Sequence, residues 1–149
     1  MKLAFISNKN KLSGKLTKFF TGTFCYHVAF VDLKTGRMYD MNLLRRKRLW
    51  PYYDSEEIRL VECPVDVPAE YLEAKLLTDE NHYGFFDYCL FALRPLFHLF
   101  GKSTRNAGGV ICSEMVYEDL KANGWQRRFD EVPSPADLER EILNLGNNP

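Results

Sequence analysis

The sequence lacks the features that would place it outside the ordinary globular class. It has four cysteines among 149 residues, none in a Cys-x-x-Cys spacing, and no internal repeat or low-complexity tract. Its N-terminal apolar run is only four residues long, too short for the core of a signal peptide. With 46% hydrophobic and 27% charged residues, the chain is not disordered, collagen-like or a coiled coil as a whole. We expect one domain, residues 1–149, with free thiols in a reducing compartment.

The most apolar stretch, Phe85–Phe100, does not predict a membrane span. It is sixteen residues long and contains Asp87 and Arg94, whereas a spanning helix needs about 20 mostly apolar residues. Pro95 falls inside the stretch and would kink or end a helix. The sequence therefore predicts a buried helix here and no transmembrane segment.

The formal net charge of zero hides an asymmetry along the chain. Residues 1–60 carry twelve Lys and Arg against five Asp and Glu, while residues 61–149 carry eight against fifteen. This balance excludes a uniformly basic, specific nucleic-acid binder. The basic run Arg45–Arg48 is typical of a solvated face, but contact of the basic first part with an anionic polymer or a lipid surface stays open.

Apolar spacing predicts a few strands and several helices. The strands are Leu3–Ile6, Phe24–Val31, Arg37–Leu43 and Ile58–Cys63, of which the second and third form a hairpin across Asp32–Gly36. The helices are Lys9–Phe20, Pro68–Leu77, Phe85–Phe100, one that runs from Cys112 through about Ala122, and Ala136–Leu145 with Ser134 as its N-cap. This order predicts an α+β fold with an antiparallel sheet.

Cys112 is the candidate nucleophile, because it follows the Gly108-Gly109 loop and opens a predicted helix. The first turn of a helix has unpaired N–H groups and the positive end of the helix dipole, and both stabilise a thiolate. The same N–H groups can stabilise an oxyanion when the thiolate attacks a carbonyl. The alternative is a small buried hydrophobe at a helix start.

A thiolate nucleophile needs an imidazole that takes its proton and later protonates the leaving group, and His27 is the candidate. Strand alternation predicts that Cys25, His27 and Ala29 share one face of the sheet. Two ligands on one strand, with Cys112 more remote, do not make a zinc signature. We therefore predict neither a metal site nor a cofactor.

Two polar residues could orient the imidazole. If the hairpin loop is Leu33–Gly36, Asp32 pairs with Arg37, and the returning strand then places Asp40 and Asn42 on the His27 face. Either side chain could accept from the imidazole N–H, as the third member of a catalytic triad does. A bulge would change this choice, because one slipped residue reverses the faces.

Four segments occur in a recognisable order. Gly22–Phe30 holds a histidine after an aromatic residue, Tyr83–Tyr88 is a Gly/Tyr-Asp-Tyr segment, Ile111–Val116 contains Cys-Ser-Glu, and Ser134–Leu138 ends in Pro-x-Asp-Leu. This order resembles the circularly permuted, papain-like branch of the NlpC-type cysteine peptidase superfamily, over residues 3–140. Lecithin–retinol acyltransferases are more distant relatives of similar order.

The resemblance implies a single permuted NlpC-type domain of papain-like fold, in which a small antiparallel sheet packs against helices and the histidine strand precedes the cysteine helix. It implies a cysteine hydrolase that cleaves an amide bond, either in a peptide of the bacterial cell-wall (peptidoglycan) type or in an isopeptide-like linkage. Cys112 would attack, His27 would act as base and then as acid, and Asp40, or alternatively Asn42, would orient His27. The residues expected to contact the substrate are Tyr83, Tyr88, Gly109 and Ser113.

Two other functions fit the same residues. A thiol acyltransferase or lipid hydrolase is motivated by the apolar Phe85–Phe100 stretch and by the basic first part of the chain. A non-enzymatic module that captures a host partner is the third possibility. Because no export signal is visible, we expect a cytoplasmic protein, or a phage-encoded one made in the host cytoplasm.

Overall fold

The structure is a computed structural model that describes residues 1–10, 12, 15, 18, 24–42, 44–53, 56–78 and 111–146. Most of the predicted helix Lys9–Phe20 lies outside these residues. The whole of the predicted helix Phe85–Phe100 also lies outside them, as does the Asn106–Gly109 loop.

Five strands form one antiparallel sheet in the order β4-β3-β2-β1-β5. Their bounds are β1 Lys2–Ser7, β2 Cys25–Asp32, β3 Arg37–Asn42, β4 Leu44–Leu49 and β5 Glu57–Glu62. The predicted hairpin is confirmed: Asp32 pairs with Arg37 across the turn, which Gly36 closes with a left-handed φ of 65°.

Three helices complete the described part of the fold: α1 Ala69–Thr78, α2 Cys112–Ala122 and α3 Pro135–Gly146. Helix α2 stops at Asn123, before Gly124 with its φ of 99°. The predicted Ser134 cap is confirmed, because the Asp137 N–H donates to Ser134 Oγ at 3.0 Å while the Ser134 N–H donates to Asp137 Oδ2 at 3.0 Å. Among the described residues, no helix is long and apolar enough to span a membrane. The fold is α+β with an antiparallel sheet, as predicted.

The two faces of the sheet carry unequal cores. Helices α2 and α3 pack on the larger one, which includes Leu3, Phe5, Val28, Phe30, Tyr39, Met41, Met115, Val116, Leu120, Leu138 and Ile142. The opposite face carries a smaller cluster of Ala4, Ala29, Val31 and Met38, packed against Trp50, Tyr53 and Ile58. Side chains from one strand therefore alternate between a helix-covered core and a face covered by the segment after β4.

The basic run Arg45–Arg48 forms the middle of the edge strand β4, where the sequence predicted a solvated face before a turn. Three of its four cations lie in ion pairs: Arg45 with Asp119, Lys47 with Glu73, and Arg48 with Asp40. Because strand side chains alternate, the run meets acids on both faces of the sheet. This intramolecular pairing lends no support to the expected contact with an anionic polymer or lipid surface.

A buried ion pair fastens α2 to the edge strand. The Arg45 guanidinium donates to both carboxylate oxygens of Asp119, at 2.6 and 3.3 Å, and the two side chains are 6% and 2% exposed. The Tyr71 hydroxyl of α1 donates to the same carboxylate at 3.1 Å. Paired, forked hydrogen bonds of this kind fix geometry as well as charge, so this contact sets where α2 lies along β4.

We predict that Asp119→Asn destabilises the protein by about 3–5 kcal/mol, because it removes the carboxylate that forms a buried ion pair with Arg45. The double variant Arg45→Met/Asp119→Leu removes both charges and is expected to recover most of that loss. Urea unfolding measures both free energies. Equal losses in the single and double variants would contradict the assignment of the cost to the broken buried ion pair.

Candidate active site

A β-bulge at the start of β2 sets the face of the sheet on which Cys25 lies relative to His27. Strand β1 pairs Ile6 with His27 but the next residue with Cys25, which makes Tyr26 the extra residue. The prediction that Cys25 shares a face with Ala29 is therefore wrong, because Cys25 packs in the larger core and Ala29 in the smaller one. His27 lies just past the bulge and is 6% exposed.

Asp40 lies at the centre of a buried polar cluster. It is fully buried on β3, and its Oδ2 lies 3.3 Å from His27 Nε2. Arg48 Nε donates to Oδ1 at 3.2 Å, and the Tyr53 hydroxyl donates to Oδ2 at 3.1 Å. Burial by itself raises the pKa of Asp40, but the hydrogen bonds and positive charges of His27 and Arg48 outweigh burial and hold that pKa below its usual value.

Cys112 is the first residue of α2 and is 5% exposed. It interacts directly with His27: burial lowers the pKa of the imidazole, but the negative charge of Cys112 and the hydrogen bonds of Asp40 and Cys112 raise it to about 9. The structure thus brings Cys112, His27 and Asp40 together.

The residue that precedes α2 provides no side-chain cap for the first turn of the helix. Ile111 occupies the N-cap position in an extended conformation and makes no side-chain hydrogen bond to the helix. The Ile111 side chain therefore accepts from none of the N–H groups that open the helix. They can donate to an oxyanion that forms on a carbonyl attacked by the thiolate.

Two tyrosines flank the imidazole ring. The Tyr53 ring centroid lies 5.6 Å from that of His27, and the Tyr26 centroid lies 6.4 Å away in a stacked arrangement. Burial, and then the negative charges of Glu56 for Tyr26 and Asp40 for Tyr53, raise the pKa of both hydroxyls. Both tyrosines therefore stay protonated, and Tyr53 remains a donor to Asp40.

The other predicted site residues divide into three groups. Asn42, the alternative orienting residue, is exposed at the end of β3, whereas Asp40 is the residue bonded to His27. Ser113 is fully buried, and within the described part of the chain its hydroxyl has no hydrogen-bond partner; its contact with a substrate stays a prediction. Tyr83, Tyr88 and Gly109 lie outside the described residues.

Arg48 and Tyr53 are functional candidates that the sequence did not single out. A run of four cations has no apolar alternation, so it carries no strand signal from which its faces could be read. Once β4 is placed, Arg48 is seen to share the Asp40 face, because Arg46 lies directly opposite Asp40 in the ladder. Tyr53 follows a turn, and its contact with Asp40 has no local sequence signal.

The other described thiols differ from Cys112 in their surroundings. Cys25 and Cys63 form no disulfide, and burial raises the pKa of each to about 12. Both are therefore poor nucleophiles near neutral pH. Across the described residues, no group of three or more His, Cys, Asp or Glu side chains is arranged to hold a metal ion.

A comparison of the chain with protein-family models, curated proteins and solved structures gives no match. The chemistry of the site therefore has to be inferred from its own geometry.

We predict that Asp40→Asn lowers the pKa of His27 from about 9, because the variant loses the negative charge that stabilises the imidazolium. An NMR titration of the imidazole protons measures this pKa. The chain has three histidines, and the signal that disappears in His27→Asn identifies His27. Asp66→Asn, which removes an exposed carboxylate after β5, is the matched control. An unchanged His27 titration in Asp40→Asn would contradict the electrostatic role of this carboxylate.

Proposed function

We propose that the protein is a cysteine hydrolase of the permuted, papain-like NlpC type and that it cleaves an amide bond. The observation that carries the proposal is the position of His27, which interacts with Cys112 and whose Nε2 lies 3.3 Å from the buried Asp40 carboxylate. A nucleophile, a base and an orienting group in this relation are what acyl transfer through a thiol requires.

The proposed reaction begins with the proton of Cys112 on His27. The thiolate attacks the substrate carbonyl carbon, and the resulting oxyanion accepts hydrogen bonds from the first-turn N–H groups of α2. The imidazolium then donates its proton to the departing amine as the C–N bond breaks, which leaves an acyl thioester on Cys112. Water, deprotonated by His27, attacks the thioester, and the carboxylic acid leaves as the thiol is restored.

The raised pKa of His27 favours an amide over an activated ester. An amine is a poor leaving group and departs only when it is protonated, so the acid must hold its proton at working pH. With a pKa of about 9, the His27 imidazolium is populated throughout the neutral range. By the resemblance of its four segments, the amide is proposed to lie in a cell-wall-type peptide.

The proposal predicts that p-nitrophenyl acetate leaves one acetyl group on the protein, at Cys112, as measured by intact mass and peptide mapping. Cys112→Ala should abolish the adduct. His27→Asn should slow its formation roughly hundredfold, the contribution typical of a general base. Cys63→Ala is the matched control, because it removes a thiol whose pKa burial raises to about 12 and should leave acetylation unchanged.

Turnover separates amide hydrolysis from the alternatives. We expect Cys112-dependent release of fluorescent amines from a panel of peptide amides, including muramyl-peptide fragments. Acyl transfer from short-chain lipid esters to Cys112 without any amide turnover would favour the acyltransferase or lipid hydrolase. Acetylation no faster in the wild type than in Cys112→Ala would contradict both enzymes and favour a binding module.

A further inference from the structure

Arg48 is placed to act on the site through Asp40. Its Nε donates to Asp40 Oδ1 at 3.2 Å, while Oδ2 is the oxygen that faces His27 and Tyr53. The Arg48 guanidinium also lies over the Tyr52 ring, 4.1 Å from its centroid, and the side chain is largely buried. Contact with a carboxylate on one side and a ring on the other fixes the guanidinium in place.

The groups that face His27 come from several elements. Cys112 reaches it from α2, Asp40 from β3 and Tyr53 from the segment after β4. On its own strand, Tyr26 stacks on the ring and bonds to the Glu56 carboxylate, and the Cys25 thiol bonds to the His27 carbonyl. The negative charges in this surround favour the imidazolium, and Arg48 supplies a positive charge behind Asp40.

We propose that Arg48 is a positioning residue that limits how tightly the site holds the proton on His27. Its guanidinium holds the Asp40 carboxylate toward the imidazole and neutralises part of the carboxylate's charge. This inference rests on the proposed function, in which His27 must both give up a proton to the leaving amine and regain one from water. An imidazole next to an uncompensated buried carboxylate would keep its proton and release it slowly, since a proton donor works best with a pKa near the working pH.

Arg48→Gln tests the charge separately from the hydrogen bond. The Gln amide can still donate to Asp40, but it carries no charge. The pKa of His27, followed by NMR, should therefore rise by on the order of one unit, the size typical of a nearby charge. Arg48→Lys keeps the charge, so the pKa of His27 in this variant should stay close to its wild-type value. Lys47→Gln, on the neighbouring residue that faces the opposite side of the sheet, is the matched control and should not shift.

Arg48→Met provides a second variant if the Gln variant fails to fold, because it keeps an apolar stem beneath Tyr52. If the pKa of His27 is unchanged or lower in a folded Arg48→Gln or Arg48→Met variant, the proposal is overturned. A purely structural role of Arg48 would change thermal stability without raising this pKa. Failure of the Arg48 proposal is distinguishable from failure of the proposed function. The proposed function depends on acetylation of Cys112 in the wild type, which is measured separately.

Discussion

A carboxylate that is fully buried must be compensated from all sides, and Asp40 carries this constraint in the present fold. Its partners come from three segments: His27 from β2, Arg48 from β4 and Tyr53 from the chain after β4. Each partner satisfies part of a charge that would otherwise be very costly to bury. Because the three contacts must form together, they fix the positions of β4 and of the segment that follows it relative to the histidine strand.

The same reasoning explains why the charges of the chain are divided along its length. Among the described residues, most cations of the first part lie on the sheet, and most acids of the second part lie on the three helices. Ion pairs between them include Arg45 with Asp119, Lys47 with Glu73, Arg37 with Glu73 and Arg59 with Glu139. The sequence asymmetry thus becomes complementarity between two layers, and only the first of these pairs is buried deeply enough to contribute strongly.

The parts of the fold that follow local rules could be predicted from the sequence. The turn residues of Asp32–Gly36 fixed the hairpin register, and that register placed Asp40 within reach of His27. The start of α2 follows from the glycines that precede Cys112 in the sequence, and its end follows from Gly124. The cap of α3 follows from Ser134. The bulge at Tyr26 and the edge strand β4 could not be predicted, because a bulge depends on the partner strand and a cationic strand is stabilised only by acids far away in the chain.

The bulge also bears on which thiol can react. Cys25 and His27 are two residues apart, and an unbroken strand would have placed both on one face beside Cys112. The extra residue turns Cys25 into the core, where burial, Glu139 and the charge of Cys112 raise its pKa. A thiolate at Cys112 therefore suppresses ionisation of the thiol nearby while it favours the proton on His27. In the proposed reaction, Cys112 is the nucleophile because it lies at a helix start and interacts with an imidazole, whereas burial raises the pKa of Cys25.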